Sequence, residues 1–525
     1  MIRRFGKRII LNMAVLSLVL GCTACANADD YYAGTYDVDV NAITCMVWDR
    51  GNFPEGKTVD NNALADWIKA KVKEELGIDV TFVAVPRQTS DAEIEKMVEK
   101  GTAPDIIFTY SSGVFGSLTK RGRVAEIDEA YETYGNNIKA NIGEIQYMGM
   151  YNDKRVAVMK RRGFQSPRHM AYIRKDWCEA LGMDIPKTKE ELFEYLYAVK
   201  EKNPGNVDRV VPWAMGGNVY SEKFYQNMIC SYVPKLSERD SYIYSEKFMF
   251  LANGAIDGVR KLNELYNDGI ISLDFVADVD NSKFEKDIIA GRAGFFIDDC
   301  TRPFAYIEEL KKKDPLAELV PLQCFETATG EYRNITEPLY GMYIMVPSYS
   351  REKLPAIMKY LNWLADPEIA EVVSYTPDHE DTDQGAPMAL SENELIAKGY
   401  PLNPDDYSIV NGHFHFVEDK EKQVSTLIYA WTFEDKEWFD NFYDVCTENQ
   451  FIYPATSTVL ESEALYQEEL EGLIVQSVYN LIGCPTMDFD GEWAYEYDLL
   501  KEHGLEEVLN ERAGYYDSRE IRLGE

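Results

Sequence analysis

Two hydrophobic periods alternate near the start of the folded part of the chain, and this alternation limits the fold more than any other feature. Ala42–Trp48, Asp79–Val85 and Pro104–Tyr110 are short apolar runs of the kind found in strands. Between them, residues 64–76 and 91–100 space their apolar side chains as helices do. Strand, helix, strand, helix, strand is the order of a doubly wound α/β fold, so we expect a parallel sheet here.

The carboxyl ends of the first and third strands mark a predicted binding edge. In open α/β sheets, ligands bind beyond the carboxyl ends of the strands. Trp48 and Asp49 stand at the end of the first strand, and Tyr110 and Ser112 follow the third. We expect these four residues to contact a ligand that offers both apolar faces and hydrogen-bonding groups.

The first 25 residues indicate export. Basic residues precede the apolar run Ile9–Leu20, which is too short to span a membrane and fits a signal peptide over residues 1–21. Val19-Leu20-Gly21-Cys22 resembles a bacterial lipobox, so Cys22 is expected to be diacylated and to anchor the protein on the extracytoplasmic face of the membrane. Cys25 is the weaker candidate, and an ordinary cleaved signal is the alternative. Residues 22–41 would then form the lipidated terminus and a polar spacer.

The charge of the chain excludes some partners. It carries 54 Lys and Arg against 89 Asp and Glu, a net charge of −35, and loss of the signal peptide makes it −39. Such a field repels nucleic acid and anionic membrane surfaces, so neither is an expected partner.

No metal or other cofactor is predicted. His413 and His415 share one face of a short strand, but the sequence supplies no third ligand nearby. Asp278-x-Asp280 and Asp381-x-Asp383 begin like calcium loops, yet neither completes the twelve-residue pattern. Structural calcium therefore stays a minor alternative.

Four segments together resemble the extracellular solute-binding proteins of ABC importers, in the large carbohydrate-handling group (family 1-like). The likeness covers most of residues 42–517, although Val158–Lys160 lacks a proline expected at the crossover. The segments that carry it are Ala103–Ile107 with Val124–Asp128, Ile173–Leu192, Ile289–Phe296 and Tyr343–Asp366.

The resemblance implies a two-lobed, periplasmic-binding-protein-like α/β fold with a hinge and a helical C-terminal region. One discontinuous lobe would contain residues 42–160 plus 340–375, and the other 168–335 plus 376–525. A ligand would bind in the cleft and the lobes would close around it by hinge rotation. The protein would act as a monomer and pass its ligand to ABC permease subunits.

The resemblance and the chemistry of sugars add further expected ligand contacts. Sugars present flat apolar C–H faces and rings of hydroxyls, which favours aromatic planes beside polar side chains. These contacts stand at strand ends or flank the proposed crossover strand: Trp213, Asp298, Asp299, Arg302, Tyr340 and Tyr343. Trp177, in contrast, is expected to be structural.

The segment Lys154–Arg168 is basic in an otherwise acidic chain. One interpretation is a solvated hinge edge that balances nearby carboxylates. The other is recognition of an acidic sugar such as a uronide by Arg161 and Arg162, because guanidinium groups match carboxylates.

The function favoured by these patterns is capture of an oligosaccharide by a non-catalytic, membrane-tethered binding protein. A binder of peptides or another small solute on the same fold is the alternative, because a fold does not determine its ligand. A secreted glycan-degrading enzyme is the third hypothesis. It would need two carboxylates facing each other across a cleft, and no motif of a nucleophile elbow, zinc protease or phosphate loop accompanies the acidic residues.

Overall fold

The computed structural model describes residues 39–162, 167–218, 223–327, 329–330, 334–336, 338–411, 419–431, 433–455, 458 and 460–518. The predicted signal peptide, Cys22 and most of the spacer lie outside these residues, as do His413 and His415. Among the helices of the described ranges, none has the length and apolar character needed to cross a membrane.

The first stretch of the chain folds as its hydrophobic periods predict. Asn62 caps the first long helix by accepting a hydrogen bond from the Ala65 N–H, and Gly77 ends it with φ 70°. The elements of this stretch are β1 (Ala42–Asp49), α1 (Ala63–Leu76), β2 (Asp79–Pro86), α2 (Ser90–Glu99), β3 (Ile107–Thr109), α3 (Ser112–Lys120), α4 (Asp128–Tyr134), α5 (Asn136–Ile142), β4 (Met150–Tyr151), β5 (Lys154–Arg155) and β6 (Val158–Arg161).

A second stretch follows the basic segment and builds a separate sheet with its own helices. Its elements are β7 (His169–Arg174), α6 (Lys175–Leu181), α7 (Lys189–Lys202), β8 (Val211–Ala214), α8 (Gln226–Cys230), α9 (Glu238–Tyr244), α10 (Ala255–Asn267), α11 (Ser282–Ile289), β9 (Ala293–Asp299), α12 (Pro303–Lys313), β10 (Leu319–Leu322) and β11 (Asn334–Ile335).

The remaining chain returns to the first sheet and ends in helices. These elements are β12 (Tyr340–Met345), α13 (Leu354–Leu364), α14 (Pro367–Tyr375), β13 (Glu380–Asp381), β14 (Pro387–Met388), α15 (Glu392–Lys398), α16 (Lys420–Ala430), α17 (Lys436–Thr447), β15 (Gln450–Phe451), α18 (Glu461–Gly483), α19 (Phe489–Glu502) and α20 (Leu505–Asp517). Short 3₁₀ turns occupy Arg87–Thr89, Gly143–Gly149, Met249–Leu251, Phe275–Ala277, Ser348–Lys353, Pro404–Tyr407 and Thr486–Asp488.

The main sheet of each half of the chain combines parallel and antiparallel contacts between strands. β1 and β2 run parallel, as predicted. A parallel bridge between Cys45 of β1 and Ile106, the residue before β3, joins the third predicted strand to them. β12 then lies antiparallel between β3 and β6. In the second sheet the order is β10, β7, β9, β8, and only the β8–β9 pair there is parallel.

The buried side chains form two hydrophobic cores. The first draws on residues 43–159 and 342–410, and the second on residues 170–325 and 424–508. The predicted boundary at 375/376 is therefore displaced, because Leu395, Tyr400 and Tyr407 pack into the first core rather than the second. We use the names first lobe and second lobe for the parts built around these cores.

The passages between the lobes lie side by side. Arg161 forms a parallel bridge with Asn411, and Pro167 forms an antiparallel bridge with Thr336. In addition, the Arg162 N–H donates to the Leu339 carbonyl oxygen at 2.6 Å. The three crossings of the described chain therefore meet in one narrow region, as a hinge requires.

Candidate functional site

Two predicted contact residues form an aromatic platform where β1 and β3 end. The Trp48 and Tyr110 rings stack with centroids 5.6 Å apart and planes inclined by 27°. Tyr110 is 41% exposed, whereas Trp48 is 5% exposed. Trp48 therefore supports one face of the partly exposed Tyr110 ring. The Arg87 guanidinium carbon lies 4.0 Å from the centre of the Trp48 ring.

Arg162 brings a cation to this platform. Its Cζ lies 5.3 Å from the centre of the Tyr110 ring. Gly341 of β12 makes room for both groups, because a Cβ there would come within 3.2 Å of Arg162 Cγ and 3.4 Å of Tyr110 Cε1. A cation–π contact at an exposed ring contributes only about 0.5–1 kcal/mol, so a ligand carboxylate that accepts two hydrogen bonds from the guanidinium could replace it.

The charges around Arg162 come from both lobes. Burial lowers the pKa of Arg162, and the neighbouring Arg168 adds to this, whereas Tyr110, Tyr340 and Glu246 act to raise it. Glu246 belongs to the second lobe, so Arg162 stands where the two lobes face each other. Tyr340 starts β12 opposite Arg161, which places it in the same region.

On the second lobe, Glu246 and Lys223 form the facing polar pair. Lys223 Nζ lies 3.6 Å from Glu246 Oε1, and the Lys223 backbone N–H donates to His169 Nε2 at 3.1 Å. Burial works to raise the pKa of Glu246, but Lys223, His169, a hydrogen bond from Gln226 and Lys247 together hold that pKa below its usual value. Glu246 is therefore a carboxylate at neutral pH.

A cavity of about 940 Å³ begins beside this pair, between residues 223–250 and α18. Apolar and polar side chains alternate on its walls, and its volume lies within the range of small-molecule sites, roughly 300–1,000 Å³. Its lining includes Gln226, Glu246, Phe250, Leu465, Glu469 and Gln476.

The ligand contacts predicted at the end of β9 lie in a turn that their own hydrogen bonds stabilise. Asp299 Oδ1 accepts hydrogen bonds from the Thr301 N–H and hydroxyl and from the Arg302 N–H, while its Oδ2 lies 3.2 Å from Arg168. Asp298 is fully buried, with Arg302 Nη1 3.8 Å from its Oδ1. Asp299 and Arg302 thus stay predicted contacts beside the hinge, whereas Asp298 has no face open to a ligand in this structure.

Two further predicted contacts lie inside the cores. Trp213 is fully buried in β8 and meets Phe295 edge to face, with centroids 4.9 Å apart. Tyr343 is 5% exposed in β12 and stacks on Phe115 at 4.3 Å. Their side chains point into the packed faces of the sheets, so the structure contradicts the expectation that they face a cleft. Trp177 is also buried, as expected.

Asp49 and Ser112 lie beside the platform but have local roles. Asp49 Oδ1 accepts a hydrogen bond from the Gly51 N–H at 2.8 Å, which shapes the turn after β1. Ser112 is the first residue of α3, and the cap is the preceding Ser111, whose hydroxyl accepts from the Val114 N–H. Their contact with a ligand stays a prediction.

Sequence reasoning missed Glu246, Lys223 and His169. His169 starts β7, whereas Lys223 and Glu246 lie beside short helices that carry no motif. Glu246 approaches Arg162 only because the two lobes fold against each other. Among the sequence signals, the basic segment 154–168 pointed toward this region through Arg162, and the predicted contacts Tyr110 and Tyr340 also lie beside Arg162.

Comparison with known proteins identifies relatives of similar architecture. Residues 51–371 match the family model described as the bacterial extracellular solute-binding protein. Lipoprotein LipO of Bacillus subtilis (strain 168) is 22% identical over 303 residues, 56% of this chain and 59% of LipO. The fructooligosaccharide ABC transporter substrate-binding protein FusA of Streptococcus pneumoniae serotype 4 is 23% identical over 300 residues, 54% of this chain and 50% of FusA. The chain thus spans about half the length of these curated relatives.

Two solved structures share the fold. The EF-hand mutant of S. pneumoniae FusA in complex with fructo-nystose has a TM-score of 0.64 at 15% identity, over 91% of this chain and 99% of that one. Alginate-binding protein AlgQ2 without calcium ion has a TM-score of 0.63 at 14% identity, over 91% and 98%. The predicted two-lobed, periplasmic-binding-protein-like α/β fold is therefore confirmed.

Proposed function

This chain belongs to the bacterial extracellular solute-binding protein family, and on that premise we propose that it captures an oligosaccharide between its lobes and delivers it to an ABC importer. The observation that carries the proposal is the exposed face of Tyr110, backed by Trp48 and flanked by Arg162. An aromatic face can stack on the C–H face of a sugar ring while the cation binds its oxygens.

The facing lobe supports the same ligand class. Glu246 and Lys223 offer an acceptor and a donor of the kind that sugar hydroxyls need, and the cavity behind them has room for more than one sugar unit. The named ligands of relatives agree with this class, since FusA is a fructooligosaccharide binder and AlgQ2 an alginate binder. The protein would bind and release its ligand chemically unchanged, as a monomer, with permease subunits as its membrane partner.

Within this proposal, Arg162 would give the site a preference for acidic sugars. Arg162 is the guanidinium beside the exposed Tyr110 ring, whereas Arg161 Nε lies 3.6 Å from Glu144 Oε1 within the first lobe. The two adjacent arginines therefore make a matched pair of variants, one at the platform and one beside it.

Calorimetric titration of the full-length protein tests both parts. We expect saturable binding of one oligosaccharide class, with uronic-acid oligosaccharides bound at least about tenfold more weakly by Arg162→Gln, since a charged hydrogen bond contributes about 1.5–3 kcal/mol. Arg161→Gln should bind uronic-acid oligosaccharides as tightly as the parent does. Both variants should bind neutral oligosaccharides with the affinity of the parent. Binding of peptides but no glycan would refute the oligosaccharide assignment, and release of shortened sugars would show an enzyme.

We also propose that Cys22 carries the lipid anchor. Its basis is the lipobox Val19-Leu20-Gly21-Cys22, together with the family's extracellular location. Radioactive palmitate should label the expressed protein, and Cys22→Ala should abolish the label while Cys25→Ala keeps it. Loss of the label only in Cys25→Ala would transfer the anchor to that residue.

A further inference from the structure

Three metal-ligating side chains converge at the end of α14, away from the aromatic platform. Glu371 lies on α14, His379 in the turn that follows, and Asp381 in β13. His379 Nε2 lies 3.6 Å from Glu371 Oε1 and 3.8 Å from Asp381 Oδ1, and the three ligand atoms all lie within 4.8 Å of one another.

The other ring nitrogen of His379 determines its tautomer. Nδ1 lies 2.7 Å from the Thr376 carbonyl oxygen, and a carbonyl oxygen only accepts hydrogen bonds. The proton of the neutral ring must therefore sit on Nδ1, which leaves the Nε2 lone pair facing the two carboxylates. A backbone carbonyl that holds the far ring nitrogen in this way is the usual support of a metal-bound histidine.

The separations are close to those between two ligands of one metal ion. An N–H···O hydrogen bond joins atoms about 2.7–3.2 Å apart, shorter than either His379 distance. Ligands on a tetrahedral ion with bonds of about 2.1 Å lie about 3.4 Å apart, close to the observed 3.6 and 3.8 Å. All three pairs of ligand atoms lie within 4.8 Å, so small side-chain movements would bring them to this spacing.

We propose that Glu371, His379 and Asp381 form a binding site for a divalent transition metal, with Zn²⁺ the best match. An imidazole beside two carboxylates suits zinc, whereas calcium prefers oxygen ligands alone. The side chains of His379, Glu371 and Asp381 are 12%, 31% and 54% exposed, so an ion has a route in and a fourth position open to water. Asp381 would then bind a metal ion together with Glu371 and His379, which precede it in the chain, rather than within a calcium loop that begins at Asp381-x-Asp383.

The location gives the ion a mechanical role. It would fasten the β13–β14 hairpin to α14, whose Val373 lies in the first core. On its other side, the hairpin's Thr382 hydroxyl accepts a hydrogen bond from the Ser425 hydroxyl at 2.8 Å, and Ser425 belongs to α16 of the second lobe. A bound metal would therefore stiffen a contact between the lobes without touching the ligand site.

Zinc titration of the full-length, metal-stripped protein against a chromophoric chelator tests the site. We expect one saturable equivalent that is lost in His379→Ala and weakened at least about tenfold in Glu371→Gln, which keeps the shape of the side chain. The matched control is His503→Ala. His503 lies between α19 and α20, with its Nδ1 2.9 Å from Glu469 Oε1. This variant should still bind one equivalent of zinc. Cobalt should add visible absorption bands of a four-coordinate ion in the parent and not in His379→Ala.

Two results would overturn the site. One is the same zinc stoichiometry and affinity in the parent, His379→Ala and Glu371→Gln, which would place the binding elsewhere. The other is the absence of saturable binding in a parent protein whose circular dichroism is that of a folded chain. Neither result depends on the sugar proposal, because the readout is the metal alone.

Discussion

At the scale of single residues, Asp105 shows what one position of the family-like segment Ala103–Ile107 does. Its carboxylate accepts hydrogen bonds from the Thr44 N–H at 2.8 Å, the Ser350 hydroxyl at 2.7 Å and Lys353 Nζ at 2.9 Å. It thus ties β1 to the turn before α13. Burial works to raise the pKa of Asp105, but the Ser350 and Lys353 hydrogen bonds and the Thr44 amide outweigh it, and the pKa falls below 3.8.

We predict that Asp105→Ala lowers the free energy of unfolding by about 2–4 kcal/mol at pH 7, because it leaves a half-buried lysine and a partly buried amide without their acceptor. Urea unfolding followed by tryptophan fluorescence measures this. Glu93→Ala is the control, since Glu93 pairs with Lys96 at 3.0 Å on the surface and should cost less than about 1 kcal/mol.

The same carboxylate predicts a pH dependence. A group whose pKa is lowered on folding stabilises the protein above its ordinary pKa, and this contribution disappears as the pH falls through the folded value. The difference between the parent and Asp105→Ala should therefore be complete above about pH 5 and shrink below 3.8. A difference that stays constant down to pH 3 would contradict this role.

At the scale of elements, the loop after β8 shows why small residues follow Trp213. A Cβ on Gly217 would lie 1.9 Å from the Phe275 carbonyl oxygen, and one on Gly216 would lie 2.3 Å from Asn281 Oδ1. The glycines therefore allow the backbone to pass close to residues 275–281.

We predict that Gly217→Ala destabilises the second lobe by about 1–3 kcal/mol, because the backbone must shift to admit the methyl group. Gly143→Ala is the matched control, since Gly143 has φ −61° and open space around its Cβ position. It should leave stability unchanged or raise it by up to about 1 kcal/mol. Urea midpoints compare the two, and equal losses would refute the close-packing explanation.

Local periodicity predicted the elements, whereas pairing between distant segments escaped it. β1, α1 and β2 lie within a residue or so of their predicted bounds because each depends on its own side chains. The antiparallel pairing of β12 with β3 and β6 joins segments more than 150 residues apart, and no local pattern predicts it. Trp48 and Tyr110 could be predicted as contacts because they lie at the carboxyl ends of strands. The approach of Glu246 to Arg162 could not be predicted in this way.

At the scale of the whole molecule, the two cores and their shared hinge predict closure around a ligand. An oligosaccharide that contacts Tyr110 on the first lobe and Glu246 on the second would stabilise only the closed arrangement. Small-angle X-ray scattering should then show a smaller radius of gyration with saturating ligand. Tyr110→Ala at the same ligand concentration should show little decrease, and an unchanged radius in the parent at proven saturation would contradict hinge closure.

The paired crossings also determine when the molecule can fold during its synthesis. The first core needs residues 342–410, so it stays incomplete until 410 of 525 residues have left the ribosome. The second core waits longer still, since it draws on residues up to Val508. Contacts between such distant segments form slowly because long loops must close first. A chain with this connectivity therefore lacks both complete cores for most of its synthesis.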